Sequence, residues 1–294
     1  MGFGILIIIA VALTTSLGTY LWCQRASQPR ICGGKFKAIG SKCYYIESDN
    51  EQVWLGALYQ CSRLGGHLAS IQSQQELDDI SKELMPNKEY YIDISDQISD
   101  RHLFLSATTG LAPSFKHQNL DDSWDIYKRC AVINHLGRMG HTGCSINDGL
   151  FVCEKHEPAT QEQKQKIEQN FKKIGEKYYY IENNEQRTWM DAFHKCQELG
   201  GHLATPRNDL EFIKISDELR DDSGYFIDLT DQLNEGQFLS ISTGSNDNYI
   251  HWGTGEPKMQ YGKVVVVIEK TTWRTYMRHE SSYESNFFIC EALI

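Results

Sequence analysis

Leu64-Gly65-Gly66-His67-Leu68-Ala69 recurs, letter for letter, as Leu199-Gly200-Gly201-His202-Leu203-Ala204. The two copies stand 135 residues apart, and the same offset carries Lys42-Cys43-Tyr44-Tyr45-Ile46-Glu47 onto Lys177-Tyr178-Tyr179-Tyr180-Ile181-Glu182 and Cys61 onto Cys196. Chance does not readily supply three matches at one offset. The period is far longer than a solenoid unit and is that of a whole domain. The chain therefore reads as two copies of one domain joined by a linker, and its 294 residues give each copy enough length for its own core.

Upstream of the first motif, Trp54, Ala57, Leu58, Cys61 and Leu64 recur at three- and four-residue steps and so share one helix face. Ser48 or Asp49 is the expected cap, and Gly65 supplies the stop. Downstream, Ser73 to Glu76 has capping-box spacing and opens a second helix with the stripe Leu77, Ile80 and Leu84. The second copy repeats this grammar in other letters. Thr188 and Asp191 open its first helix, Trp189, Ala192, Phe193, Cys196 and Leu199 form the stripe, and Asn208 and Glu211 box the next helix. Tyr91-Ile92-Asp93-Ile94 and Phe226-Ile227-Asp228-Leu229 read as matched buried strands. Long polar stretches follow, residues 106–128 and 240–262, of a length that tends to be functional in compact domains. Each half closes on an apolar strand, Phe151-Val152-Cys153-Glu154 and Phe287-Phe288-Ile289-Cys290-Glu291. Residues 156–170, rich in Lys, Glu and Gln, read as a solvated linker or short helix.

The net charge of −10, with no basic stripe, argues against nucleic acid as a partner. Nine cysteines behind an apolar N-terminus suit an oxidising compartment, and none form the Cys-x-x-Cys pair of a zinc ribbon or thioredoxin-type site. The apolar centre Ile5 to Leu13 has signal-peptide length, and Ser16 and Gly18 suit cleavage after Gly18. Residues 1–18 are thus expected to be a signal peptide and 19–31 a tail. An uncleaved membrane anchor is the alternative, disfavoured by Arg25 and Arg30 after the run. No Gly-x-Ser-x-Gly elbow, Walker loop or His-Glu-x-x-His is present, so an enzyme has almost no support. There is no Asn-x-Ser/Thr glycosylation acceptor either.

A helix ending Cys-x-x-Leu-Gly-Gly-His-Leu-Ala, the buried strand, the long loop and a final Phe-x-Cys-Glu together resemble the C-type lectin-like domain. Gly236-Gln237-Phe238-Leu239-Ser240, Thr243-Gly244 and Trp252-Gly253-Thr254-Gly255-Glu256-Pro257 extend the match in the second copy. The resemblance, greatest to secreted insect lectins, covers residues 32–155 and 171–294. It implies an α+β fold in each copy: two helices, two small antiparallel sheets and a long loop carrying the ligand site. It also implies the bridges Cys61–Cys153 and Cys196–Cys290, the loop bridge Cys130–Cys144 and the N-terminal hairpin bridge Cys32–Cys43. Val265 and Ser281 or Ser282 stand where the second copy would carry a loop bridge. Cys23 is left over: it is removed with the signal, a free thiol, or an interchain disulfide.

Sugar-binding members of that family hold calcium through a Glu-Pro-Asn-type triplet, an acid before the loop cysteine and a Trp-Asn-Asp triplet. Calcium takes six to eight oxygen donors. The second copy keeps Glu256 and Pro257, but Lys258 is the third residue, Lys263 replaces the acid, and Met277-Arg278-His279 replaces Trp-Asn-Asp. An ammonium has no lone pair to give, and a positive charge about 4 Å from a divalent ion costs on the order of 8 kcal/mol at an effective dielectric of about 20. No cofactor is therefore expected, calcium included. Lys258 or Lys263 could instead set its ammonium where the metal would sit, paired with Glu256; the alternative is a drifted surface loop. In the first copy Asn119-Leu120-Asp121 and Met139-Gly140-His141 stand near the two triplets. Asp121, Asp122 and Asp125 read as a solvated acidic loop, and the spacing of His117, His135 and His141 matches no common zinc pattern. His67 and His202 are expected to be packed and structural.

Two readings of function stand. One is a secreted recognition protein for glycans or glycoproteins with degenerate calcium sites. The other is a protein-binding module using the same surface, with Tyr249, His251, Trp252, Met259 and Tyr261 as aromatic or apolar anchors unless they form the loop's own core.

Overall fold

In the computed structural model of the protein, residues 31–96, 104–115, 129–145, 149–258 and 264–293 are described. The first half runs β1 (Lys37–Ile39), β2 (Lys42–Ile46), α1 (Trp54–Arg63), β3 (Gly66–Leu68), α2 (Gln74–Ser81), β4 (Glu89–Ser95), β5 (Leu105–Ser106), β6 (Arg129–Asn134), β7 (Met139–Gly143) and β8 (Leu150–Lys155). A linker helix, α3 (Gln161–Asn170), follows. The second half runs β9 (Lys172–Ile174), β10 (Lys177–Arg187), α4 (Trp189–Leu199), β11 (Gly201–Leu203), α5 (Asp209–Ser216), β12 (Ser223–Thr230), β13 (Val264–Lys270), β14 (Thr275–Ser281) and β15 (Asn286–Ala292).

In each half an antiparallel hairpin set and a second antiparallel set meet through one parallel contact, β4 with β8 and β12 with β15. The fold is α+β, twice over. The two faces of each sheet are covered by different helices. Leu77 and Ile80 of α2 pack with Ile92, Ile133 and Met139, and Phe212 and Ile215 of α5 pack with Ile227, Val266 and Met277. On the other face α1 and α4 bury Trp54 and Trp189 completely. Each indole N–H donates to the middle of the buried strand, Trp54 to the Ile92 carbonyl at 2.9 Å and Trp189 to the Ile227 carbonyl at 2.8 Å. The disulfides are Cys32–Cys43, Cys61–Cys153, Cys130–Cys144 and Cys196–Cys290. Cys23 and residues 1–30 lie outside the described residues.

The start of α1 departs from the sequence expectation. Its N-cap is Val53, with no side-chain cap bond. The Glu47 carboxylate instead takes the N–H groups of Ser48 and Asp49, and the chain pairs Gln52 with Gly149 before turning helical. Trp54 then donates its backbone N–H to the Cys144 carbonyl at 3.2 Å, so a tertiary bond does the work of a cap. The stops are as read: Gly200 sits at the end of α4 in the left-handed region, φ 95°.

The capping boxes are half realised. Ser73 and Asn208 accept from the Glu76 and Glu211 N–H groups at 3.2 and 2.9 Å. The two glutamates reach one residue further back, to the N–H of Gln72 and of Arg207. They also bind the repeated Lys-x-Tyr: Lys42 lies 3.0 Å from Glu76 and Lys177 lies 2.7 Å from Glu211, while Tyr44 and Tyr179 donate their hydroxyls to the same carboxylates. Each lysine also pairs with the glutamate of the closing strand, Glu154 at 3.0 Å and Glu291 at 2.8 Å. The recurrent letters thus tie hairpin, helix and last strand together in both halves.

The halves are packed on each other. One apolar cluster includes Trp54, Leu58 and Ala107 with Trp189, Phe193 and Ile241. Gly110 lies against the His194 carbonyl and the Glu198 backbone on α4, and Gly244 lies against Arg63 at the end of α1. Glu198 is the counterpart of Arg63 at the repeat offset, so the contact is nearly two-fold within one chain.

Candidate functional site

The long loop of the second half starts from a buried carboxylate. Asp228, fully buried on β12, accepts from the Ser240 hydroxyl at 2.6 Å and from the Ser242 N–H at 2.8 Å. Burial pushes its carboxyl up to about 6, against the pull of those donors. Asp93 repeats the arrangement with Ser106 at 2.5 Å, and burial raises it to about 7.

From this anchor the loop packs on itself. Phe238 meets Trp252 edge-on, with ring centroids 5.0 Å apart, and His251 stacks on Phe212 at 4.9 Å. Tyr249 donates to Asp209 at 2.7 Å. Trp252 pairs with Met277 of β14, where the Gly253 N–H donates to the Met277 carbonyl at 2.9 Å. Tyr249 and Trp252 are half-buried against the core of the second half, whereas His251 stays exposed on top of Phe212. Met259, Tyr261 and Lys263 lie outside the described residues.

The segment then presents Glu256, joined to Pro257 by a cis peptide bond. The Glu256 carboxylate meets His279 Nδ1 at 2.6 Å and Lys258 Nζ at 3.5 Å. At 2.6 Å from a carboxylate, Nδ1 carries the proton and donates. The two acceptor-donor partners are nearly covered, Glu256 at 9% and His279 at 5% side-chain exposure, whereas Lys258 is 74% exposed. Burial alone would raise the Glu256 carboxyl, but the His279 hydrogen bonds and the Lys258 charge hold it below the usual glutamate range. Two of the residues read from the sequence, Lys258 and His279, therefore converge on the carboxylate of a third, Glu256.

Arg278 does not join them. Strand alternation turns it to the opposite face from Met277 and His279, where it meets Glu269 at 2.9 Å and Glu280 at 2.5 Å. Adjacency in the sequence hid this. Glu269 and Glu280 were not singled out as its partners, because pairing across β13 and β14 depends on the length of their turn. In the first half β6 and β7 pair Val132 with Gly140, as Val267 pairs with Arg278, so Met139, Gly140 and His141 occupy the places of Met277, Arg278 and His279. The acidic stretch with Asp121, Asp122 and Asp125, and His117, lie outside the described residues. His67 and His202 each hold the next carbonyl through Nδ1, at 2.8 and 2.7 Å.

The chain is similar to proteins of one domain family. The model of the lectin C-type domain matches twice, at residues 50–155 and 185–292. Accessory gland protein Acp29AB of Drosophila melanogaster is 33% identical over 120 residues, 41% of this chain and 50% of that protein. Human collectin-10 is 31% identical over 121 residues, 40% of this chain and 42% of that protein. C-type lectin 37Db of Drosophila melanogaster is 29% identical over 119 residues, 40% of this chain and 79% of that protein. The chain spans about half the length of the first curated relatives it matches. Among solved structures, the C-type lectin domain of murine dendritic cell inhibitory receptor 2 in complex with N-glycan aligns at 24% identity and a TM-score of 0.39. That alignment covers 42% of this chain and 97% of that one.

Proposed function

This chain belongs to the C-type lectin domain family, and from that premise we propose that it is a secreted recognition protein for glycans or glycoproteins whose second rim works without calcium. Relatives named as lectins lend the reading its ligand class. The carrying observation is the occupied Glu256. Its carboxylate already has a hydrogen-bonded imidazole at 2.6 Å and an ammonium at 3.5 Å, groups that bring N–H donors where a divalent ion needs oxygen lone pairs. Calcium in the family's arrangement does not fit that donor set. What the rim offers a saccharide is hydrogen bonding: the exposed Lys258 ammonium as donor and the Glu256 carboxylate, shared with His279, as acceptor. Two such domains on one chain allow weak sites to add by avidity. No catalytic constellation is needed for any of this. Secretion rests on the apolar segment at residues 1–18, which lies outside the described residues. Among the described residues no helix is long and apolar enough to cross a membrane.

A glycan array with the full-length protein, with and without EDTA, tests the reading. Signal that survives the chelator and falls on Lys258→Ala supports it; signal abolished by the chelator sinks it. The second reading, a protein partner without sugar, is favoured by Trp273. That indole is 92% exposed at the β13–β14 turn, an aromatic of the kind that anchors protein interfaces. A silent array together with a partner lost on Trp273→Ala would favour it.

A further inference from the structure

The nearly two-fold contact between the halves fills its equivalent places unequally. At the repeat offset of 135, His194 on α4 stands where α1 has Tyr59, and both side chains are buried. A loop of each half closes on the other's helix. An added Cβ at Gly110 would lie 2.4 Å from the His194 carbonyl, and one at Gly244 would lie 2.4 Å from the Arg63 backbone nitrogen. No strand of one half pairs with a strand of the other among the described residues. The halves can therefore part without breaking a strand ladder.

His194 is the ionisable group that this contact seals. Neither of its nitrogens has a hydrogen-bond partner, and its ring meets Phe193 edge-on at 5.2 Å. The charged groups around it are already engaged. On α4, Lys195 pairs with Glu198 at 2.9 Å, and Asp191 accepts the Thr188 hydroxyl at 2.6 Å. Lys166 of the linker helix donates to the Glu198 carbonyl at 2.5 Å. In the first half Asp93 accepts from Ser106 at 2.5 Å, and Arg63 lies over the Tyr59 ring. None of these carboxylates is free to receive an imidazolium. More imidazoles stand where the linker begins: the His156 ring lies 5.1 Å from that of His67, and a charge on it would face His67 and His202, one from each half. The cations beside this trio are Lys42, held between Glu76 and Glu154, and Lys155, tied to the Cys32 carbonyl; the anion beside it is Asp228, held by Ser240. His156 is itself exposed, so it has the smaller part.

We propose that the contact between the halves is an acid-sensitive latch with His194 as its sensor, docked at neutral pH and released as the imidazole takes a proton. Undocking lifts the first half's Ser106 and Gly110 away from the ring and gives it water. Burial holds the docked imidazole far below its free value, so the open form binds the proton first and acid favours opening. With a free value near 6.5, the opening equilibrium rises about 30-fold from pH 7.5 to pH 5.0. Asp93 and Asp228 do not oppose this, because each is held by serines of its own half and stays held on undocking. Docked, the two domains present their surfaces at one fixed spacing; released, they reorient about residues 156–170. The latch belongs to the scaffold and stands whether or not the rim binds a saccharide.

Hydrogen exchange of the full-length protein, corrected for the intrinsic effect of pH, tests this. Gly110→Ala should wedge the contact open at pH 7.5, and the amides it accelerates on α4 and in residues 240–246 then mark undocking. Those same amides in the parent should open about 30-fold more at pH 5.0 than at pH 7.5, and faster than the amides of β12, which report global unfolding. His194→Tyr, which installs the residue of the equivalent place, should remove that increment. His194→Leu should remove it too, so the test survives if one variant fails to fold. No amides accelerated by Gly110→Ala, contact amides that only keep pace with β12, or an increment that persists without His194 would each overturn the proposal.

Discussion

His194→Leu should make the protein markedly less sensitive to acid. His194 lies on α4 where Gly110 of the other half packs on its carbonyl, and it is 4% exposed. Its ring meets Phe193 edge-on at 5.2 Å, and neither ring nitrogen has a hydrogen-bond partner. Burial pushes the imidazole down to about 3, and the nearby Ser106 carbonyl offsets this only weakly. The imidazole is therefore neutral in the fold across the accessible range, while in the unfolded chain it titrates near 6.5. A base depressed in the folded state contributes stability that is fully present above about pH 6.5 and is lost as pH falls toward the folded value. At pH 5, about 1.5 pH units below the unfolded value, the one proton that the unfolded chain takes up and the fold refuses is worth about 2 kcal/mol. Leucine is of similar bulk and has nothing to protonate.

Urea unfolding at pH 7.5 and at pH 5.0 gives the relevant quantity, the loss of stability between the two. That loss should be smaller in His194→Leu than in the parent by about 2 kcal/mol, whatever the substitution does to stability at pH 7.5. His156, depressed to about 4 by burial and by His67 and His202, pulls in the same direction as His194. Asp93 and Asp228, raised to about 7 and about 6, pull the other way, since their contribution grows as pH falls. All of these remain in both proteins and cancel in the comparison. Identical pH dependence in parent and variant would refute the argument.

Two further outcomes follow from the scaffold. Gly201→Ala should destabilise the second half by about 3 kcal/mol or more, because its Cβ would sit 2.3 Å from the Glu291 carbonyl, a backbone atom that cannot yield without breaking β11–β15; a thermal midpoint within a degree of the parent would contradict this. Removing Cys196 and Cys290 together opens a 94-residue loop and should cost about 4 to 5 kcal/mol, against about 3 for Cys130 and Cys144, which close 14 residues. Equal losses in non-reducing urea melts would show that loop entropy is not what these bridges contribute.

Much of the scaffold was legible because its signals are local or repeated. The stripe Trp54, Ala57, Leu58 and Cys61 is buried as its period requires, and the doubled Ile-Asp of the central strands marks the carboxylates that anchor both loops. The α1 cap was misplaced because its real partner, the Cys144 carbonyl, is remote in sequence. Glu76 and Glu211 match the box by spacing, yet the lysines and tyrosines of β2 and β10 draw them one residue away. At the rim, residue type was informative and direction was not: His279 and Arg278 are neighbours in sequence and face apart.

The match between the two closing hairpins escaped for a related reason. β6 and β13 stand at the repeat offset of 135, but the β13–β14 turn is three residues longer than its counterpart, so Gly140 answers to Arg278 only once the strands are paired. That register also explains why the copies could diverge where they did. Lys42 and Lys177 each hold two carboxylates from separate elements, and a Cβ added at Gly66 or Gly201 would lie 2.3 Å from a backbone oxygen, so a change at any of them disturbs several strands at once. Arg278, Glu269 and Glu280 instead are half-buried on two neighbouring strands, and their ion pairs tie together no third element. Exchanging the set for Gly140, Asn134 and Thr142 leaves every strand hydrogen bond in place and alters only what the face can hold. Recognition can therefore differ between the halves at little expense to folding, which is the physical reason to seek two different ligands rather than two copies of one.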